Sequence, residues 1–505
     1  MMRKNLRKSS IALAVAAAGV GVAGLSTQAI AVQLADDGLG EVLLYPYFNT
    51  KNSMKTFVHV INTSDKAVAF KIRIHDAKNS RECRDFNVVL SPEDVWTSSI
   101  EEGADGQPRI WTADKSCTSP QLPFTDRGGR YVNFTAADFD GRTVNGQDSA
   151  DVSIDRCREG YVEIIEMGAS TGGTYFDAAK HIDGVPADCA TIAADFNDNA
   201  KVSGPISAEF NEPENVLKGN YSLIRAEVGQ GFGGTPTTLA NFFSPGSGTF
   251  GIDGVSTQYL VRTAGDNEPN LSNVNPPVSI VDDVSTGSGV FIDGWTRSVD
   301  AVSAILMRKS VINEWSTNAA FGVNTDWIVT FPTKSFYADP STPGVTAGSA
   351  LPPFAETFNQ QNDARACIDV EVASWNREEK TEIFQQGFSP VEVRQGNQLC
   401  FESNVITFNR GSSKASVLNS QFTQNVENGT LGNNGWVRLG LTKSLSALTG
   451  LTAAQSNTPS QTPRTYQGLP VIGFTVFNRR LEQASINFGT LFDHAYERMT
   501  LESGN

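Results

Sequence analysis

Hydrophobic and polar positions alternate most cleanly between Gly40 and Trp96. Val68, Phe70, Ile72 and Ile74 are separated by Ala69, Lys71, Arg73 and His75, the period-two pattern of a strand with one buried face. Phe86, Val88 and Leu90 repeat it until Ser91-Pro92 ends the run. Thr56–Asn62 is a third β-rich run, joined to the first by the polar turn Thr63–Lys66. Further strands are expected at Tyr161–Met167, Tyr221–Val228, Trp327–Phe331, Ile368–Trp375, Trp436–Thr442 and Val471–Asn478. The order FVHVIN, TSDK, AVAFKI near the start is echoed by FTVFN, a polar turn and ASINF near the end. Both read as hairpins. One helix is expected over Val299–Trp315, with Ser298 as its N-cap and Val299, Val302, Ile305, Leu306 and Ile312 along one side.

These elements predict a mainly β fold, with one or two immunoglobulin-like antiparallel β-sandwiches, long disulfide-closed loops and one packed α-helix at about 299–315. Uneven strand spacing and a polar C-terminus fit an outer-membrane barrel less well. Ala264–Pro277 (AGDNEPNLSNVNPP) has the composition of a linker. It divides a β-sandwich domain with loop insertions at 32–263 from a β-rich domain at 278–505, which stands alone or closes the same sandwich.

The first 31 residues change the picture. Arg3, Lys4, Arg7 and Lys8 precede the apolar run Ile11–Leu25, and Ala29-Ile30-Ala31 follows. This is the pattern of a secretory signal peptide cleaved after Ala31. No later stretch is long and apolar enough to span a membrane. Removing the four basic residues leaves 36 Lys and Arg against 55 Asp and Glu, a net charge of −19. Such a surface repels phosphate backbones, so nucleic acid is not an expected partner. It suits divalent cations or a cationic partner.

Export also decides how the cysteines are read. Cys83, Cys117, Cys157, Cys189, Cys367 and Cys400 form an even set, which argues for disulfides in an oxidising compartment. Intervals of 34, 32 and 33 residues within successive pairs favour sequential bridges: 83–117, 157–189 and 367–400. Zinc-knuckle spacing is absent.

Candidate chemistry is sparse. Gly168-Ala169-Ser170-Thr171-Gly172 matches G-x-S-x-G after a strand, but no series of βα units surrounds it. Asp195, Asn197 and Asn199 place oxygens at alternate positions, as a calcium loop does. Ala200 and Ile206 stand where an EF-hand needs Gly and Glu, so a looser calcium site competes with an Asx-rich turn. Glu163 and Glu166 are three apart on a strand and face opposite sides, and His494 near Asp493 and Glu497 has no assignable nucleophile. The seven Trp are scattered, and a sugar platform would need two or three of them coplanar on a surface.

LLYPYF at 43–48, FNVVLSPEDVW at 86–96, GYVEIIEMG at 160–168, HIDGVPADC at 181–189, DWIVTFPTK at 326–334 and GFTVFN at 473–478 span most of the mature chain. In these segments the protein resembles a group of secreted proteobacterial proteins with no established function. The resemblance implies an extracytoplasmic, Gram-negative setting and carries over no functional residue. Three functions remain. The first is a non-enzymatic cell-surface or extracellular structural protein that assembles with itself or another surface protein by strand addition, with Val32–Tyr47 as donor. The second is a soluble module binding glycan, divalent metal or a partner protein, for which a loop tryptophan such as Trp111 would serve. The third is a hydrolase using Ser170. No cofactor is expected, apart from calcium at Asp195, Asn197 and Asn199.

Overall fold

The computed structural model describes residues 31–136, 153–243, 261–283, 289–318, 322–346, 348–358, 363–383, 397–409, 416–427, 431–442, 450–456, 463–481 and 486–502. The signal-peptide pattern up to residue 30 lies outside them. The chain is mainly β, with few helices, and its sheets are antiparallel apart from the pairing of Ser403–Asn409 with Thr423–Glu427.

Two seven-stranded sheets hold the first half. One runs, in spatial order, Gln33–Leu34, Thr237–Ala240, Val42–Asn49, Glu159–Ser170, Ala67–Asp76, Glu82–Leu90 and Cys117–Ser119. The other runs Gln230–Gly234, Leu217–Arg225, Lys55–Asn62, Val95–Glu102, Pro108–Thr112, Gly129–Asn133 and Phe124–Asp126. They bury the apolar face that the alternation predicts. Phe70 and Phe86 from the first sheet meet Trp96 from the second edge to face, at 6.2 and 6.1 Å. Each such pair adds about 0.5–1.5 kcal/mol to the area it buries.

The polar face of Ala67–Asp76 departs from expectation, because every residue of that strand is buried. The expected linker covers it. Lys71 Nζ donates to Thr263 O at 2.9 Å and to Asp266 O at 2.6 Å, and stands 3.4 Å from Asp85. Arg73 donates to Asn267 O at 2.9 Å and pairs with Glu82 at 2.6 Å. Leu271 and Val274 of the same segment are buried. The face is polar because it carries paired charges under a lid of backbone carbonyls, which keeps their burial tolerable.

The two expected hairpins differ. Ile472–Leu481 and Ile486–Asp493 pair as a hairpin. Lys55–Asn62 and Ala67–Asp76 belong to different sheets, so Thr63–Lys66 is an arch between layers. Asn62 Nδ2 holds it by donating to Lys66 O and Ser91 O at 2.7 and 2.9 Å.

The helix is also shorter than expected. It spans Ser298–Leu306, and Met307 turns extended (ψ 130°). Val311 and Ile312, whose branched side chains suit a pleated surface, lie in strand Ser310–Ser316 paired with Asn434–Gly440. Val299 to Leu306 are all buried, so the helix is a core element without a solvent face.

Contacts knit the two halves together. Val32 N donates to Val278 O, Ser403 N to Ala77 O, and Arg81 pairs with Asp339 at 3.1 Å. Strand Val42–Asn49 is interior and wholly buried, and Val32 is 0% exposed. Within Val32–Tyr47, the expected strand donor, Val42–Tyr47 belongs to a strand paired on both sides, whereas Gln33–Leu34 is the edge strand of its sheet.

All six cysteines are bridged, with one expected pair kept and two exchanged: Cys83–Cys157, Cys117–Cys189 and Cys367–Cys400. Cys117 sits opposite Val89. Cys83 lies six residues earlier on that strand, about 20 Å away at ~3.3 Å per residue, far beyond disulfide reach. Cys367 and Cys400 flank the register pair Ile368 and Leu399, which brings them together.

Candidate functional site

Strands Glu371–Asn376 and Asn434–Gly440 are neighbours with Trp375 directly opposite Trp436. Cross-strand partners share a face, so the indoles stack, with centroids 4.0 Å apart and planes 9° apart. Arg438, two residues beyond Trp436, lies 5.6 Å from the Trp375 ring. Trp436 remains 38% exposed. Trp375 takes one side of the ring, Glu314 of strand Ser310–Ser316 is its register partner on the other, and Trp436 and Glu314 both line a cavity of about 810 Å³.

Trp436 and Phe488, 38% and 50% exposed, give the cavity its open aromatic surface; Trp315 and Phe477 also line it but are buried. Asn376, Asn434, Arg377 and Arg479 form polar parts of its lining. Asn376 is fixed by accepting from Glu378 N and Lys380 N, both at 3.0 Å. Asn434 accepts from Ser316 Oγ. Gly435 is required between the two tryptophan strands, since a Cβ there would lie 1.9 Å from Trp375 O. Exposed aromatic rings beside amide and guanidinium groups make a lining that is part apolar and part polar. Sequence reading names the requirement for coplanar tryptophans but not the pair, because 61 positions separate Trp375 from Trp436 and only the strand register joins them.

The other candidates are placed as follows. Trp111 is on strand Pro108–Thr112, donates Nε1–H to Asp126 O at 2.9 Å, and has Arg127 4.7 Å from its ring. Its face is covered. Ser170 ends strand Glu159–Ser170 with its residue buried, and its Oγ lies 3.3 Å from Glu209 Oε1. Glu209 in turn accepts from Tyr175 N and Phe176 N at the start of helix Thr174–Ala179. No histidine contacts Ser170 among the described residues, so the serine belongs to a helix-end contact.

Asp195 accepts from Tyr175 OH at 2.9 Å and lies 3.8 Å from Lys201. Asn199 Oδ1 faces Thr263 Oγ1 at 3.4 Å, and Asn197 donates its backbone N–H to Ala194 O. Among the described residues no three His, Cys, Asp or Glu side chains group as a metal site. His494 donates Nε2–H to Ile328 O at 3.0 Å and accepts at Nδ1 from Asn313 Nδ2 at 3.1 Å. Burial pulls its pKa down to about 4, so at neutral pH it is an uncharged structural group.

One carboxylate pair escapes sequence reading. Glu41, the residue before strand Val42–Asn49, lies beside Glu166 of strand Glu159–Ser170, and Glu166 N donates to Glu41 O at 2.8 Å. They are 2% and 0% exposed. Glu41 Oε2 accepts from Phe243 N at 2.6 Å and Glu166 Oε1 from Glu214 N at 2.9 Å. Burial pushes Glu41 up to about 8, and burial with the Glu41 charge pushes Glu166 well above the carboxylate range. Sealed from solvent, the pair acts on stability.

Among the described residues no helix is long and apolar enough to cross a membrane. Comparison with protein families, with curated proteins and with solved structures finds no match to this chain.

Proposed function

We propose that this protein is an exported, non-enzymatic carbohydrate-binding protein of the Gram-negative extracytoplasmic space, holding a sugar ring against Trp436. The observation that carries the reading is the half-exposed Trp436 ring, which stacks on Trp375 and lines the 810 Å³ cavity. Trp375 stiffens the platform, so little ordering entropy is lost on binding. Asn376, Asn434, Arg377 and Arg479 supply donors and acceptors for hydroxyls. Three disulfides support an oxidising, extracytoplasmic setting.

We put ligand binding ahead of assembly as a surface structural protein because Val42–Tyr47 of the expected donor lies in a strand paired on both sides within its own sheet. Titration of the oxidised protein with a panel of oligosaccharides tests the reading. Saturable binding to one glycan class, with quenching of tryptophan fluorescence, is expected. A panel with no binder, together with concentration-dependent polymers by light scattering, would return the weight to assembly.

A further inference from the structure

Among the described residues Arg308 is a cation buried without a carboxylate paired to it. It lies in strand Met307–Arg308, is 5% exposed, and lines a second cleft, of about 440 Å³, between the two halves of the chain. Its guanidinium centre is 3.7 Å from the Tyr496 centroid. Nη1 donates to Ile305 O and Met307 O, both at 2.9 Å, at the end of helix Ser298–Leu306. Arg498 donates to the same two carbonyls at 2.7 and 3.1 Å. Two full positive charges thus share one helix end, whose dipole offers only about half a negative charge. Burial and the Arg498 charge both pull the Arg308 pKa well below its ordinary value.

The open donors of Arg308 point to what balances it. Nε–H and the two N–H groups of Nη2 meet no acceptor among the described residues, and neither nitrogen is sealed from accessible space. This is the edge of a guanidinium that presents two parallel N–H groups at the spacing of two carboxylate oxygens. Lys218 lines the cleft from the other half of the chain, and Leu34, Pro46, Val311 and Ile472 give it apolar walls. Asp36, Asp37 and Asp493 also line it and oppose a ligand with several negative charges. We infer that this cleft binds a small organic monocarboxylate, its oxygens held side-on by Arg308 and its hydrocarbon part against the apolar wall. The site is separate from the tryptophan cavity and shares no lining residue with it.

Calorimetric titration of the oxidised protein with butyrate, acetate and sulfate at constant ionic strength tests this. Saturable one-to-one binding of butyrate is expected, tighter than acetate because of the apolar wall and tighter than sulfate because of the acidic residues. Arg308→Lys keeps the charge and removes the fork, and should weaken butyrate at least tenfold. Lys218→Glu leaves the buried cation untouched and should weaken it similarly, which keeps the test valid if the Arg308 variant does not fold. Absence of saturable butyrate binding, tighter binding of sulfate, or unchanged butyrate affinity in Lys218→Glu would each overturn the inference.

Discussion

Glu41→Gln removes one buried ionisable group, and with it the charge that acts on Glu166, while preserving its size and its acceptor for Phe243 N. In the folded chain burial raises the Glu41 pKa from 4.5 to about 8. Between those values the folded state keeps a proton that the unfolded state has released. Stability therefore falls as pH rises from 4.5 to about 8 and is level in this term above that. At ~1.36 kcal/mol per unit, the full penalty of ionising or neutralising this group in place is about 5 kcal/mol at the alkaline end. Glutamine carries no such penalty. The variant should match the parent near pH 5 and exceed it at pH 8, where the gain is read as a rise in Tm. For a chain of this size each kcal/mol moves Tm by roughly 1–2 °C, so an increase of about 5–10 °C is expected at pH 8 and within about 1–2 °C of none at pH 5. Calorimetric scans at both pH values, with disulfides intact, provide the comparison. An equal shift at the two pH values, or destabilisation at pH 8, would refute the assignment of a buried, proton-holding Glu41.

Other consequences are as direct. Peptide mapping without reduction should recover Cys83 linked to Cys157 and Cys117 linked to Cys189; sequential links would contradict the strand register that separates Cys83 from Cys117. Replacing Cys83 and Cys157 by Ala reopens a loop of 74 residues, a loss of about 4.5 kcal/mol in the chain-entropy model, seen as a lower unfolding midpoint. Lys71→Met strands the buried Asp85 and leaves Thr263 O and Asp266 O without their donor. It should cost ~3 kcal/mol or more, with part recovered in Lys71→Met/Asp85→Asn. Absence of recovery would remove the ion pair from the account.

The strands were legible because alternating branched and aromatic residues have few other uses, and Val68, Phe70, Ile72 and Ile74 do line the core between sheets. What stayed hidden depends on distant pairing. Lys71 and Arg73 read as solvent-facing because their cover, residues 261–277, lies about 190 positions away. The cysteine intervals suggested neighbours, but the sheet places Cys117 beside Val89 instead of Cys83. Periodicity carried the helix through Ile312, yet extended Met307 and the pairing of Ser310–Ser316 with Asn434–Gly440 end it at Leu306. Trp375 and Trp436 carry no local mark of partnership. Glu41 and Glu166 are likewise joined only across strands, which is why sequence spacing tested Glu163 against Glu166 instead.

The most direct test of the carbohydrate reading compares Trp436→Ala with Trp111→Ala, titrated with the best-binding oligosaccharide. Loss of the half-exposed indole should raise Kd about 10- to 30-fold, the equivalent of ~1.5–2 kcal/mol. Trp111, already covered by Arg127, should change Kd less than about twofold, the equivalent of ~0.4 kcal/mol. Equal losses in both variants, or full affinity in Trp436→Ala, would contradict the placement of the site.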